Sequence, residues 1–146
     1  MKMKRCLFGV LVLGMGLGTK VEAADLYVPG SYTTIQAAIN AATTGDTVWV
    51  EDGTYTGTGN KNLGWLGKHI TVKSASGTSN CIIDCQNSGR GFYFNGTGQN
   101  STDIISGFTI RNGSVTDSGG GILCYDNSSP AILNCNITGN TASNYG

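Results

Sequence analysis

Residues able to do acid–base or ionic chemistry are sparse in this chain. Along its repeating part the bases are Lys68, Lys73, Arg90 and Arg111, and the acids are Asp84, Asp103, Asp117 and Asp126. Eliminative cleavage of a uronate needs a base to take a C–H proton and a cation to hold the neighbouring carboxylate. Glycoside hydrolysis needs two carboxylates converging on one bond. Neither constellation stands out by spacing, so no catalytic residue is assigned. Asp84 and Arg111 are 27 residues apart, a period that recurs below, and they read as an outward-facing ion pair worth roughly 0–1 kcal/mol. Glu51-Asp52-Gly53 reads as a turn. His69, the single histidine, opens a strand with no evident partner and reads as a surface residue. Trp49, Trp65 and Tyr93 are expected to face outward or lie in loops, where aromatic rings are candidate stacking surfaces for sugars. A polysaccharide or cell-surface glycan is the partner they suggest.

Metals and cofactors find no pattern. Cys81-x-x-x-Cys85 has no second paired cluster and a lone histidine cannot complete a zinc set. Cys81, Cys85, Cys124 and Cys135 are an even number, which an exported protein can oxidise. Cys81 and Cys135 would lie two repeats apart, about 9.6 Å at the usual strand spacing and beyond the roughly 7 Å a disulfide spans. Cys124 and Cys135 share one repeat and are the pair that geometry allows, although thiols left free to fill the core are the expected state.

The N-terminus reads as an export signal over residues 1–23. Lys2, Lys4 and Arg5 precede the apolar stretch Leu7 to Gly18, which is too short to span a bilayer, and Val21-Glu22-Ala23 fits a small-x-small cleavage site. The mature chain would then start at Ala24, be exported to the outer surface or beyond, and carry no membrane span. Its five bases and eight acids leave a net charge of −3, with no basic stripe for nucleic acid.

The elements that would position these residues are mostly short strands. Residues 33 to 42 form the one clear helix, with Ile35, Ala38, Ile39 and Ala42 on one face, Thr33 and Gln36 as a capping box, and Gly45 beyond its end. So short a helix needs a surface to lie on, and the open end of a stack of strands is such a surface. Past Gly45, inward apolar residues flank single outward ones: Val48 and Val50, Ile70 and Val72, Phe92 and Phe94, Ile122 and Cys124. A second column, Cys81 and Ile83, Phe108 and Ile110, Cys135 and Ile137, repeats every 27 residues, and Ile105 and Ile132 keep the same period. Such a period marks a solenoid of parallel strands. Asn95-Gly96, Asn112-Gly113 and Gly139-Asn140 supply corners where left-handed backbone is cheap. Three Asn-x-Ser/Thr matches, at Asn100, Asn112 and Asn136, read as turn chemistry. The fold class is therefore all-β: a right-handed parallel β-helix with an N-terminal capping helix over residues 24–146. Its last coil lacks a cap, which leads to the expectation of a C-terminally truncated domain.

Thr34 to Ala42, then Gly45-Asp46-Thr47-Val48 and Gly53-Thr54-Tyr55, resembles the opening of the pectate-lyase-like superfamily. Gly119-Gly120-Gly121-Ile122, Ser128-Ser129-Pro130-Ala131-Ile132 and Asn134 to Asn140 are similar to the repeats of polymorphic outer-membrane proteins, with Ile137 where those repeats carry phenylalanine. The first resemblance implies polysaccharide lyase or hydrolase chemistry on a right-handed parallel β-helix. The second implies a secreted or surface protein with adhesin-like roles. Since no polar cluster is evident, the leading expectation is a non-catalytic scaffold that contacts glycans. The alternative is a polysaccharide lyase or glycoside hydrolase whose catalytic residues lie beyond residue 146.

Overall fold

A computed structural model describes residues 22–96 and 98–145, so the export-signal expectation falls almost wholly outside the described residues. The elements run, in chain order, β1 (Asp25–Val28), α1 (Ile35–Ala41), β2 (Thr47–Val50), β3 (Gly53–Tyr55), β4 (Thr71–Ser74), β5 (Cys81–Asp84) and β6 (Phe92–Asn95). They continue as β7 (Ile104–Ser106), β8 (Thr109–Arg111), β9 (Ser114–Val115), β10 (Ile122–Tyr125), β11 (Ala131–Leu133), β12 (Asn136–Thr138) and β13 (Thr141–Ala142). Every pairing between these strands is parallel, and the chain winds through about four turns of a β-solenoid.

Successive turns stack strand on strand. The longest sheet has the order β1-β2-β4-β7-β11, a second β3-β5-β8-β12, and two smaller ones join β6 to β10 and β9 to β13. In the first, Leu26, Val48, Val72, Ile105 and Ile132 form one inward column. In the second, Tyr55, Ile83, Ile110 and Ile137 do the same. The 27-residue period holds from Ile83 to Ile110 to Ile137 and from Ile105 to Ile132. The inward pairs Val48/Val50, Ile70/Val72 and Phe92/Phe94 do not stack as one column. Val48 pairs with Val72 and Val50 with Ser74, while Phe92 belongs to a different sheet and pairs with Ile122. Hydrophobic alternation marks which residues point inward, but not which of several sheets a strand enters.

The core is continuous through the first three turns, where Phe92, Phe94, Phe108, Ile83, Ile105 and Ile110 are fully enclosed. Inward positions of the last turn are open, with Ile132 39% and Ile137 48% exposed, and Cys124 lies at the surface rather than inside. All four described cysteines are free. Burial pushes the Cys81 thiol up to about 12, with Asp52 adding to the shift, and the Cys85 thiol up to about 11. Both are core fillers rather than nucleophiles. Glycine serves close approach at one corner: a Cβ on Gly91 would meet Ile110 Cγ2 at 2.6 Å, and one on Gly121 would meet Ile137 Cγ2 at 2.7 Å.

Helix α1 is shorter than the expected segment and is capped by the neighbouring residue. Thr34, not Thr33, is the N-cap, its Oγ1 accepting from Ala37 N at 3.2 Å. Gln36 does not close a capping box. It exchanges two hydrogen bonds with Gly64, donating through Nε2 at 2.9 Å and accepting through Oε1 at 3.2 Å. The helix ends at Ala41 with Ala42 as its extended C-cap, and Gly45 sits later in a left-handed turn. Ile35, Ala38 and Ile39 are buried against β1 and β2.

At the C-terminal end of the helix, Lys68 Nζ donates to the carbonyls of Ile39 at 2.6 Å, Asn40 at 3.0 Å and Ala42 at 2.9 Å. These are the orphan acceptors every helix leaves, and a cation there also suits the helix dipole. The ammonium's desolvation, only partly offset by Asp46, lowers its pKa. Lys68→Met keeps the stem and removes the donors, and is expected to lower stability by about 2 kcal/mol. Urea unfolding curves of the two chains measure it; coincident midpoints would show that water replaces the ammonium.

Candidate functional site

The outer face of β6 and β10 gathers the most ligand-like chemistry among the described residues. Strand β6 alternates strictly, with Phe92 and Phe94 inward and Tyr93 and Asn95 outward. Register places Tyr93 beside Leu123 and Asn95 beside Tyr125. On the other side, Leu63 bridges to Phe92, which brings Gly64 next to Tyr93. A Cβ at Gly64 would come within 2.7 Å of the Tyr93 carbonyl oxygen, so this position has no room for a side chain. The result is a dip of about 460 Å³ whose lining includes Gln36, Lys61, Asn62, Leu66, Tyr93 and Asn95. A second dip, of about 260 Å³, shares Tyr93 and Asn95 and adds Asp117, Ser118, Leu123 and Tyr125.

Tyr93 is held rather than loose. The guanidinium of Arg90 lies 5.0 Å from its ring centroid, a cation–π contact. Arg90 is itself buried, and buried charge needs partners. It donates through Nε to Gly119 O at 3.0 Å and through Nη2 to Ser118 O at 3.0 Å and to the Asp117 carboxylate. One side chain thus fixes both the ring and the 117–119 turn beside it. Asn95 Nδ2 donates to the Tyr93 hydroxyl at 3.1 Å, and Lys61 Nζ donates to Cys85 O at 3.0 Å. An exposed ring with amides and an ammonium around it can stack on the C–H face of a sugar while binding its hydroxyls.

The other two aromatic candidates lie elsewhere. Trp49 stands on the longest sheet between Tyr27 and Lys73. Lys73 Nζ sits 3.8 Å over its ring, and its Nε1 donates to Asp25 Oδ1 at 3.0 Å. One ring face and the indole N–H are therefore engaged. Trp65 corrects the expectation of an outward or loop position open to sugar: it is 0% exposed, packed edge-on against Phe94 at 4.6 Å and Phe92 at 6.0 Å. Its sequence neighbours Gly64 and Leu66 look loop-like, but the indole fills the core beneath the Tyr93 face.

His69 also departs from expectation, because it has a partner. Asp103 is fully buried. Its Oδ1 accepts from Trp65 Nε1 at 3.1 Å and Ile70 N at 3.1 Å, and its Oδ2 accepts from Asn100 N at 2.8 Å and contacts His69 Nδ1 at 2.9 Å. A carboxylate only accepts, so His69 Nδ1 carries the hydrogen and Nε2 is the ring's remaining nitrogen. His69 lines a shallow dip with Thr44, Thr71 and Thr102. An imidazole oriented by a carboxylate can take a proton. A cation to hold a substrate carboxylate is not at hand: Lys68 is spent on the helix carbonyls and Lys73 lies over Trp49. The pair was hidden because its members stand 34 residues apart, outside the 27-residue period.

Asp84 and Arg111 form the expected outward pair, in register and 3.0 Å apart. A hydrogen bond from Asn112, aided by the Gln86 N–H and Arg111, holds the Asp84 carboxyl below its usual range. Asp46 is lowered too. Burial opposes this, but bonds from Ala24 N, Thr43 N and Thr43 Oγ1, with Lys68 nearby, outweigh it. Lowered carboxylates stabilise the fold fully above the ordinary value of about 4 and lose that contribution as pH falls through their folded values. Thermal midpoints should therefore hold near neutrality and drop below about pH 4. Asp46→Asn should flatten that drop; an unchanged acid limb would assign it to other groups.

Among the described residues no His, Cys, Asp or Glu cluster is arranged for a metal, and no helix is long and apolar enough to cross a membrane. Comparison of the chain with family models, curated proteins and solved structures returned no match.

Proposed function

We propose that this chain forms an exported right-handed parallel β-helix that holds a polysaccharide or cell-surface glycan on the outer face of β6 and β10 without turning it over. In this reading residues 1–23 are a cleaved leader, α1 caps the first turn, and the resemblance to pectate-lyase-like openings and outer-membrane repeats reflects a shared surface scaffold. The observation that carries it is the half-exposed Tyr93 ring, braced by Arg90 between two dips lined with amides and hydroxyls. Affinity electrophoresis through gels containing uronate polymers or neutral β-glucans tests it. Retardation by at least one polymer is expected, with Tyr93→Ala weakening it about tenfold. Free migration in every gel would overturn the reading.

The His69–Asp103 pair favours a second reading, a polysaccharide lyase or hydrolase. It is the weaker one because the pair has no companion cation or second carboxylate at the same dip. Incubation with uronate polymers is expected to yield no unsaturated ends. Turnover that His69→Ala abolishes would replace the scaffold reading with the enzymatic one.

A further inference from the structure

We infer that the bound glycan is a linear polymer lying lengthwise along the solenoid axis, held across at least three successive turns rather than by a terminal or branching sugar. This rests on the reading of the Tyr93 face as the glycan surface. The two dips are not separate sites: they share Tyr93 and Asn95 and open on opposite sides of the same ring. Gly64, Tyr93 and Leu123 follow one another on consecutive turns, so the line joining the dips runs across the strands and along the stack. Strands in adjacent turns are about 4.8 Å apart, close to the advance of one pyranose unit in an extended chain. A polymer on this line therefore meets one turn per sugar.

The contacts graded along that line differ in kind. At the α1 end stand Gln36, Lys61 and Asn62, polar groups around a floor at Gly64. Tyr93 provides the central platform. On the far turn Tyr125 is 64% exposed, two residues along the strand from Leu123 and paired in register to Asn95, so it flanks the end of the line. A single sugar stacked on Tyr93 would leave Tyr125 without a role, whereas two units reach both rings, which stand on adjacent turns, and a third extends to the Gly64 turn.

The test measures affinity against chain length. Cello-oligosaccharides and oligogalacturonates of one to six units are titrated into the full chain by calorimetry, with Tyr93→Ala and Tyr125→Ala alongside. For whichever series binds, affinity is expected to climb with each unit up to three or more and then level. Tyr125→Ala should cost about tenfold for the longest oligomer and leave the shortest binder unchanged. Tyr93→Ala should weaken every length. Because Tyr125 is exposed, its removal should leave the thermal midpoint where it was, which separates lost contact from lost fold. Binding that depends on Tyr93 but not on length or on Tyr125 would overturn the lengthwise arrangement while leaving the glycan reading in place. Absence of binding by either series, together with free migration in every polymer gel, would remove both.

Discussion

Replacing Asp103 with alanine is expected to cost the fold about 3–5 kcal/mol. The carboxylate is fully buried, and two of its donors, Trp65 Nε1 and Ile70 N, belong to fully buried residues that cannot easily find another acceptor. Trp65 Nε1, Ile70 N and Asn100 N are held at 3.1, 3.1 and 2.8 Å. Each donor left unmet in the interior costs about 1–3 kcal/mol, with some relief from relaxation and entering water. The damage would also spread along the stack, because Asp103 joins the 65–70 segment to the turn that follows it. Asp103→Asn should fall between the parent and the alanine chain. Its amide oxygen can still serve Trp65 and Ile70, but its NH2 group would face the Asn100 N–H. Urea unfolding followed by tryptophan fluorescence ranks the three. If alanine lies within about 1 kcal/mol of the parent, the four-donor site is not the tie it is taken to be.

How far the sequence discloses this molecule depends on which physical signal is asked. Alternation of inward and outward residues is local, and it identified the strands containing Phe92, Ile110 and Ile137, while the 27-residue period identified the ion pair of Asp84 and Arg111. A constant coil length is not guaranteed by anything local. The 27-residue period holds where the connecting turns are of equal length. It fails between β4 and β7, where Thr71 pairs with Ile104 at a distance of 33 residues because a longer connection, ending in the 98–103 loop, intervenes. That longer coil is what brings Asp103 to His69 and Trp65, so this polar group and its four contacts were invisible to a fixed period. Lys68 was hidden for a similar reason. A lysine following Leu66-Gly67 reads as a solvated loop residue, and only the packed position of α1 shows three carbonyls waiting for it. Tyr93 was legible as outward by alternation alone. The arginine that braces it was not, since Arg90 looks like any exposed base until its burial is known.

Trp65 gives the second large effect, and it separates structure from binding. Trp65→Ala removes a fully enclosed indole between Phe92 and Phe94 and is expected to cost about 3–5 kcal/mol. Trp65→Phe keeps a ring in that place and gives up the Nε1–H, so Asp103 loses one donor and the cost should be about 1–2 kcal/mol. Combined with Asp103→Ala, either change should be less than additive, because the pair shares one hydrogen bond and the coupling between direct partners is about 0.5–3 kcal/mol. Trp65→Phe also decides where the aromatic surface lies. An indole with no exposed area cannot stack on a sugar, so the folded variant should retain the parent's migration in polysaccharide gels while Tyr93→Ala does not. Should the phenylalanine chain stay stable and yet lose retardation as Tyr93→Ala does, the ring would have to reach the surface when ligand is present, and the division between a buried Trp65 and a contacting Tyr93 would fail.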